Sequence, residues 1–262
     1  DFFKDLADIR RSFKLFAERV PAQGAVVING DIENYQEIIE AAKGKVITFG
    51  HSRGNDYSAG DIQYDDYAHP SFDLYIDGEK KERLTLGVAG EHNVYNAMAA
   101  AAVGLQLGLT IAEIKSGIEK AETIAGRTNF IKTHGMTVID DCYNANPVSM
   151  RSSIEVLSHA KGRTIAVLGD MGELGSDEKK LHHEVGEAVG ENHIHTLFAA
   201  GELAKEYAAG AAEKSSDVDI HYFEDRETMT QELLSYVKEG DTILVKASHF
   251  MEFPKVVEAL SK

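Results

Sequence analysis

From residue 136 to the C terminus, short apolar runs alternate with segments of helical spacing, and this alternation constrains the fold more than any other feature. The apolar runs predict strands at 136–142, 163–169, 195–200, 219–223 and 241–247. The segments between and after them predict helices at 147–160, 177–191, 202–213, 226–238 and 253–261. Repeated strand–helix units of this kind form a mostly parallel sheet with helices on both faces.

The first part of the chain has a mixed pattern. Helical spacing at 5–20 and 33–43 and strand patterns at 25–29 and 46–49 predict a parallel α/β unit. Between 51 and 90, turn signals separate short alternating segments, which is typical of antiparallel hairpins. Two helices follow, at 92–107 and 110–121. We place a domain boundary near 122–127, so the fold class is α/β with two domains.

Several helix starts carry residues that commonly cap helices. Asn146 precedes Pro147, Ser176 precedes the helix predicted at 177–191, and Asp225 precedes the helix predicted at 226–238. We expect all three side chains to act as N-caps.

Charge and composition exclude several partners. The chain has 43 acidic and 27 basic residues and a formal charge of -16, so nucleic acid and anionic membranes are poor partners. A single cysteine excludes an internal disulfide, and no export signal or apolar run of about 18 residues is visible. We therefore expect a cytoplasmic protein.

Polar residues directly follow the first strand of the regular region. The sequence DDCYNANP at 140–147 brings two acids, a tyrosine and two asparagines to a strand-to-helix crossing. Ligands of open α/β sheets bind beyond the carboxyl ends of strands, and these side chains suit ribose hydroxyls or a peptide. The alternative is a turn with an N-cap at Asn146, and we favour a functional interpretation.

A second polar segment, GDMGELG at 169–175, follows the next strand. Its glycines suggest a phosphate-binding loop, but Asp170 and Glu173 would repel a phosphate at a helix N-terminus. An ammonium group suits the loop better. A glycine-rich crossover with capping acids remains an equal alternative.

Five further residues, at three places in the chain, are ambiguous on the residues alone. Asn93 and Asn96 share a helix face and could contact a base, but on the residues alone we favour capping by one and solvent exposure of the other. Lys246 and Ser248 at a strand end could hold a carboxylate, or Lys246 could be a surface lysine. Arg127 alone would usually be a surface residue.

Other candidate sites are unsupported by the sequence. Cys142 lies on a predicted buried strand without a partner base, which disfavours a thiol nucleophile. His182 and His183 are adjacent and cannot share a helix face, so the pair is not expected to bind a metal. The phosphate-loop pattern GxxxxGK[ST] does not occur.

Five segments occur in the order found in one known family. They are GEHNVYNAMAA, AGRTNF, DDCYNANPVSM, VLGDMGELG followed by HHEVG, and VKAS, and the resemblance covers about residues 84–262. In this respect the chain resembles the Mur ligases of bacterial cell-wall synthesis. DDCYNANPVSM and LGDMGELG resemble the MurF branch, whereas residues 1–50 look more like the MurC branch, so a hybrid is an open alternative.

The resemblance implies a domain assignment and a set of contacts. Residues 1–122 would be the later part of a central ATPase domain, and 123–262 a Rossmann-like C-terminal ligase domain. The implied nucleotide contacts are His92, Asn93 and Asn96 at the adenine, Arg127 and Asp141 holding ATP, and Tyr143, Asn144 and Asn146 near nucleotide and substrate. The implied contacts to the incoming dipeptide are Asp170, Glu173, Lys246 and Ser248. His249 stands where MurF relatives often have arginine.

The reaction implied by the resemblance is ATP-dependent amide-bond formation. ATP would phosphorylate the carboxylate of UDP-MurNAc-tripeptide, and the amine of D-Ala-D-Ala would attack the acyl phosphate with Mg²⁺ neutralising charge. The family's phosphate loop and metal ligands would lie upstream, so we assign no catalytic or metal-binding residue here and expect this chain alone not to ligate.

Rival functions remain open on the sequence. They are a MurC-type L-alanine ligase, another amide ligase such as folylpolyglutamate synthase, and a non-catalytic module that binds nucleotide or peptide.

Overall fold

A computed structural model describes residues 3–262, which form two units, each built around its own sheet. The first unit comprises residues 3–64 together with His69–Ala121, and the second comprises Asp65–Ala68 and Glu122–Lys262.

The first unit combines parallel and antiparallel strands in one sheet. Its strand order is β1-β2-β3-β4-β5; β1, β2 and β3 are parallel, and β3, β4 and β5 are antiparallel, which confirms the predicted hairpins. Its elements are α1 (Leu6–Glu18), β1 (Ala25–Asn29), α2 (Tyr35–Ile39), β2 (Lys45–Gly50), β3 (Tyr57–Tyr64), β4 (Pro70–Ile76), β5 (Glu79–Thr85), α3 (His92–Gln106) and α4 (Ile111–Glu119).

Helix α3 covers this sheet because its apolar residues recur at helical spacing. Val94, Met98 and Ala101 are fully buried and lie in one cluster with Phe72 and Leu84 of the antiparallel strands. The core therefore fixes where α3 begins, at the segment that carries His92.

The helix predicted at 33–43 is wrong in extent, because α2 covers only Tyr35–Ile39. Asn34 has a φ of 59°, in the left-handed region, so a right-handed helix cannot run through it.

The second unit has the predicted mostly parallel sheet. The strand order is β10-β9-β8-β11-β7-β6, and every neighbouring pair is parallel except β6 and β7. Its elements are β6 (Asn129–Thr133), β7 (Met136–Asp140), α5 (Pro147–Ser158), β8 (Thr164–Gly169), α6 (Glu178–Glu191), β9 (Thr196–Ala200), α7 (Ala204–Lys214), β10 (Asp219–Phe223), α8 (Arg226–Tyr236), β11 (Thr242–Lys246) and α9 (Pro254–Ser261).

Strand β6 was not predicted. It forms a hairpin with β7 across His134 and Gly135, whose φ values of 47° and 74° both lie in the left-handed region. Two such residues are typical of a tight hairpin turn, so the dipeptide His134-Gly135 was the available signal.

Two of the three predicted N-caps are confirmed. The Asn146 side chain accepts a hydrogen bond from the Ser149 amide, and that of Asp225 accepts one from the Thr228 amide. The prediction for Ser176 is wrong, because it lies in a short 3₁₀ turn and Asp177 occupies the N-cap position of α6. Within residues 3–262, no helix combines the length and the apolar character needed to cross a bilayer.

Candidate functional site

The three polar segments of the second unit follow β7, β8 and β11, which are neighbours in the sheet. Because these strands are parallel, their carboxyl ends lie along one edge. The segments at 140–147, 169–175 and 246–249 therefore meet at that edge, and direct contacts join them.

A buried ion pair connects the segments after β7 and β11. Lys246 Nζ lies 2.6 Å from Asp141 Oδ2 and donates a second hydrogen bond to the Asn144 carbonyl at 3.1 Å. Asp141 also accepts from Ser153 Oγ at 2.5 Å and from the Thr128 amide at 2.9 Å. Only 3% of the Lys246 side chain and 11% of the Asp141 side chain are exposed.

Both charged groups of this pair are thus engaged within the protein. In this arrangement they position two loops and the start of α5, since Ser153 belongs to that helix. Their direct contact with ATP or with the dipeptide stays a prediction.

The loop at 169–175 does not offer its Met171 and Gly172 amides to a ligand. The Met171 amide donates to His182 Nε2 at 2.9 Å, and the Gly172 amide donates to Ser248 Oγ at 2.9 Å. The Ser248 amide in turn donates to the Asp170 carbonyl at 3.1 Å. A phosphate cradle needs free amides, so these contacts disfavour a phosphate here.

The two carboxylates of this loop have different surroundings. Asp170 is buried; its Oδ2 accepts from the Leu203 amide at 3.2 Å, and its Oδ1 has no hydrogen-bond partner within residues 3–262. Burial raises the pKa of Asp170, and hydrogen bonds from backbone amides at the start of α7 oppose that rise. Glu173 is exposed at a φ of 62°, so it is the carboxylate that a ligand can reach.

Arg127 lies against the ring of Tyr143. Its guanidinium carbon is 4.0 Å from the ring centroid, and the Tyr143 amide donates to the Gly126 carbonyl at 2.9 Å. The Gly126 amide donates to Asp140 Oδ2 at 3.0 Å, which ties the two segments together. Within residues 3–262 the exposed Arg127 guanidinium has no carboxylate partner, so it is available to an anion.

The asparagines of the 140–147 segment have local roles. Asn144 Oδ1 accepts from the amide of Ala145 at 2.8 Å, and Asn146 forms the N-cap of α5. The capping interpretation of Asn146 is therefore correct, and a further contact of either residue with a ligand stays a prediction.

In the first unit, His92, Asn93 and Asn96 lie at the start of α3. Asn96 Nδ2 donates to Asn93 Oδ1 at 3.0 Å, and Asn93 Nδ2 donates to the Ala89 carbonyl at 2.7 Å. The two amides thus share one helix face, and His92 and Asn96 are exposed.

A neighbouring polar cluster was missed by the sequence analysis. Asp31 Oδ2 accepts hydrogen bonds from the His51 amide at 2.5 Å and from the hydroxyl of Tyr95 at 3.2 Å, and His51 Nε2 lies 3.3 Å from Glu91. Burial alone would raise the pKa of Asp31, but its hydrogen bonds together lower it. His51 directly follows β2 and Asp31 lies two residues after β1, so the strand-end rule could have found them.

Cys142 lies beyond β7 and not on a strand as predicted, because β7 ends at Asp140. It is buried, its thiol donates to the Val245 carbonyl, and burial raises its pKa. These properties disfavour a nucleophilic thiol.

Comparison with known families gives two matches in chain order. The model of the Mur ligase middle domain matches residues 1–104, and that of the Mur ligase glutamate ligase domain matches residues 126–249.

The similar proteins include both branches seen in the sequence. A UDP-N-acetylmuramoyl-tripeptide–D-alanyl-D-alanine ligase of Mycobacterium tuberculosis H37Rv is 31% identical over 93% of this chain and 52% of its own length. A UDP-N-acetylmuramate–L-alanine ligase of Lachnospira eligens is 42% identical over 61% of this chain and 35% of its own length. The crystal structure of MurF from Acinetobacter baumannii has a TM-score of 0.85 and 30% identity, covering 99% of this chain and 56% of that one. The chain spans about half the length of the M. tuberculosis ligase and of the A. baumannii MurF.

Proposed function

This chain belongs to the Mur ligase family, and we propose from that premise that it binds nucleotide and acceptor in an ATP-dependent ligase joining D-alanyl-D-alanine to a UDP-N-acetylmuramoyl-tripeptide. The name of the M. tuberculosis relative supports this substrate pair, since its similarity covers 93% of the chain. Residues 1–122 would be the later part of the central ATPase domain, and 123–262 the C-terminal ligase domain.

The observation that carries the acceptor assignment is the loop at 169–175. Its Met171 and Gly172 amides are occupied, whereas the Glu173 carboxylate is exposed. The loop presents a carboxylate, and the amides of Met171 and Gly172 already donate hydrogen bonds within the protein. Such a loop favours a cation, such as the ammonium of an incoming dipeptide. Asp170 lies under the loop and holds it to the start of α7.

The carboxylate end of the dipeptide needs a donor at the same edge. Lys246 is paired with Asp141, which holds the loops in place, and its direct contact with the dipeptide stays a prediction. His249 is exposed directly after Ser248 and could donate a hydrogen bond to that carboxylate.

The nucleotide assignment is supported by Arg127. An arginine without a carboxylate partner, held on the Tyr143 ring, suits a phosphate group because its planar fork matches two oxygens. His92, Asn93 and Asn96 would contact the adenine through the exposed amide face of α3. ATP would supply the activation of the tripeptide carboxylate. Mg²⁺, when bound, would neutralise phosphate charge, and no residue of this chain is assigned to it.

A second candidate is a MurC-type ligase with L-alanine as acceptor. The L. eligens relative favours it, since its 42% identity is higher than that of the D-alanyl-D-alanine ligases, although over a shorter region.

Isothermal titration of the chain with D-Ala-D-Ala and with L-alanine, in the presence of ATP, separates the two candidates. We expect D-Ala-D-Ala to bind more tightly than L-alanine. Tighter binding of L-alanine, or binding of neither, would overturn the proposal. Glu173→Gln should weaken dipeptide binding about tenfold, which corresponds to one charge-assisted hydrogen bond. Glu178→Gln, an exposed acid five residues on, is the matched control and should leave binding unchanged.

The nucleotide assignment has its own test. Arg127→Gln should weaken ATP binding about tenfold, because it removes a charge-assisted contact with a phosphate. Arg151→Gln is the control, since Arg151 is paired with Glu184 on the surface. Equal ATP affinities of the two variants would contradict a phosphate contact by Arg127.

A further inference from the structure

The adjacent histidines of α6 have opposite surroundings. His182 is fully buried, where its Nε2 accepts from the Met171 amide, whereas His183 is half-buried and faces α7. The pair therefore does not form a site by itself. We propose that His183 and Glu187 of α6, together with Glu213 of α7, form a binding site for a divalent transition-metal ion, with Zn²⁺ as the best fit.

The three side chains already converge. His183 and Glu187 are four residues apart and so share one face of α6. His183 Nε2 lies 3.1 Å from Glu213 Oε2, and one ligand atom from each residue lies within 4.8 Å of the other two. Tetrahedral Zn²⁺ with ligands at roughly 2.0–2.2 Å needs them about 3.4 Å apart. The two glutamate carboxylates would have to rotate to reach that spacing, and water would complete the tetrahedron.

The helix backbones that carry these ligands are fixed by direct contact. A Cβ on Gly210 would lie 2.1 Å from the His183 carbonyl oxygen and 2.8 Å from the Glu187 nitrogen. The backbone of α7 thus rests on α6 between the two α6 ligands, and Glu213 follows one turn later. This contact holds the site in register before any ion binds, which lowers the entropic cost of binding.

The local charges favour a cation, and Lys214 keeps an acidic partner when the ion binds. Lys214 Nζ lies 3.1 Å from Glu187 Oε1 and 3.5 Å from Glu191 Oε1. An ion that takes Glu187 therefore leaves Lys214 with Glu191 as partner. The Glu213 side chain is 63% exposed, so the site is open to solvent. One imidazole nitrogen and two carboxylates suit Zn²⁺ better than Mg²⁺ or Ca²⁺, which prefer oxygen ligands alone.

Zinc titration of the chain against a chromophoric chelator tests this site. We expect one Zn²⁺ per chain at micromolar affinity, and at least tenfold weaker binding in His183→Gln and in Glu213→Gln. His134→Gln, which alters an exposed histidine in the β6–β7 turn, is the control and should bind like the wild type. Lys214→Met should tighten binding, because it removes the cation that competes for Glu187.

The outcomes separate the site from general surface binding. No saturable binding at micromolar zinc, or equal weakening in the His134 control, would overturn the proposal. Unchanged affinity in both ligand variants would do the same. Circular dichroism checks that each variant is folded. We expect all of them to fold, because the substituted side chains are partly or largely exposed. None of these results depends on the ligase activity.

Discussion

Replacing Lys246 with methionine should destabilise the second unit strongly. Lys246 Nζ is 2.6 Å from Asp141 Oδ2, and both side chains are almost fully buried. Methionine fills a volume close to that of the lysine stem, so little of the effect comes from a cavity. The effect comes instead from Asp141, which becomes a buried carboxylate without a cation.

The size of the loss follows from the remaining partners. Removal of one member of a buried ion pair costs about 3–5 kcal/mol. Ser153 and the Thr128 amide still donate to Asp141, so we expect the lower end, about 3 kcal/mol. For a unit of this size that corresponds to a fall in Tm of roughly 6–12 °C.

Urea unfolding followed by far-ultraviolet circular dichroism measures this loss, and the chain offers a matched control. Lys161 pairs with Asp66 at the same 2.6 Å, but those side chains are 79% and 60% exposed. Lys161→Met should therefore cost less than about 1 kcal/mol. The double variant Lys246→Met with Asp141→Asn removes both charges and should recover most of the loss.

Two results would refute this reasoning. One is a loss below about 1 kcal/mol in Lys246→Met, which would mean that the pair is not desolvated. The other is a double variant as unstable as the single one, which would place the effect in packing and not in an unpaired charge.

Three further predictions concern stability. Gly186→Ala should cost about 1–3 kcal/mol in urea unfolding, because its Cβ would lie 2.2 Å from the backbone oxygen of Tyr207; an unchanged midpoint would contradict that close approach. Gly117→Ala in α4 should instead stabilise by about 0.5–1 kcal/mol, since nothing lies within 4 Å of its Cβ, and a lower midpoint would count against this. Burial raises the pKa of Asp170 above its ordinary 3.8, so wild-type stability falls as the pH rises through the folded-state pKa. The Tm of Asp170→Asn relative to the wild type should therefore be lowest below pH 3.8 and rise towards neutral pH; a pH-independent difference would exclude a buried charge.

Strands and helices were predictable where the local pattern was strong. Strand β8 at Thr164–Gly169, predicted at 163–169, and the start of α5 at Pro147 agree with the sequence prediction, because a buried run or a cap needs only neighbouring residues to be recognised. Strand β6 was missed since only Phe130 and Ile131 of its five residues are strongly apolar, so its apolar signal is weak. The helix prediction for 33–43 failed at Asn34. The backbone of this residue is left-handed, and the periodicity of apolar residues does not reveal that.

The candidate site shows the same division. The sequence placed polar segments after the strands that became β7, β8 and β11, and the parallel sheet brings the carboxyl ends of these strands to one edge. The sequence could not indicate which polar groups would remain available there. Lys246 and Asp141 are 105 residues apart, and each has its charge satisfied by the other.

The amino-acid sequence by itself therefore determined the two α/β units, the edge where the polar segments lie and the family resemblance, since these depend on local periodicity and short motifs. Only the tertiary structure decided that Asp141 and Lys246 are paired, that the amides of Met171 and Gly172 are occupied, and that Arg127 has no carboxylate partner within residues 3–262. The physical reason is that a hydrogen bond or ion pair joins groups far apart in the chain, and burial sets whether either group can still bind a ligand.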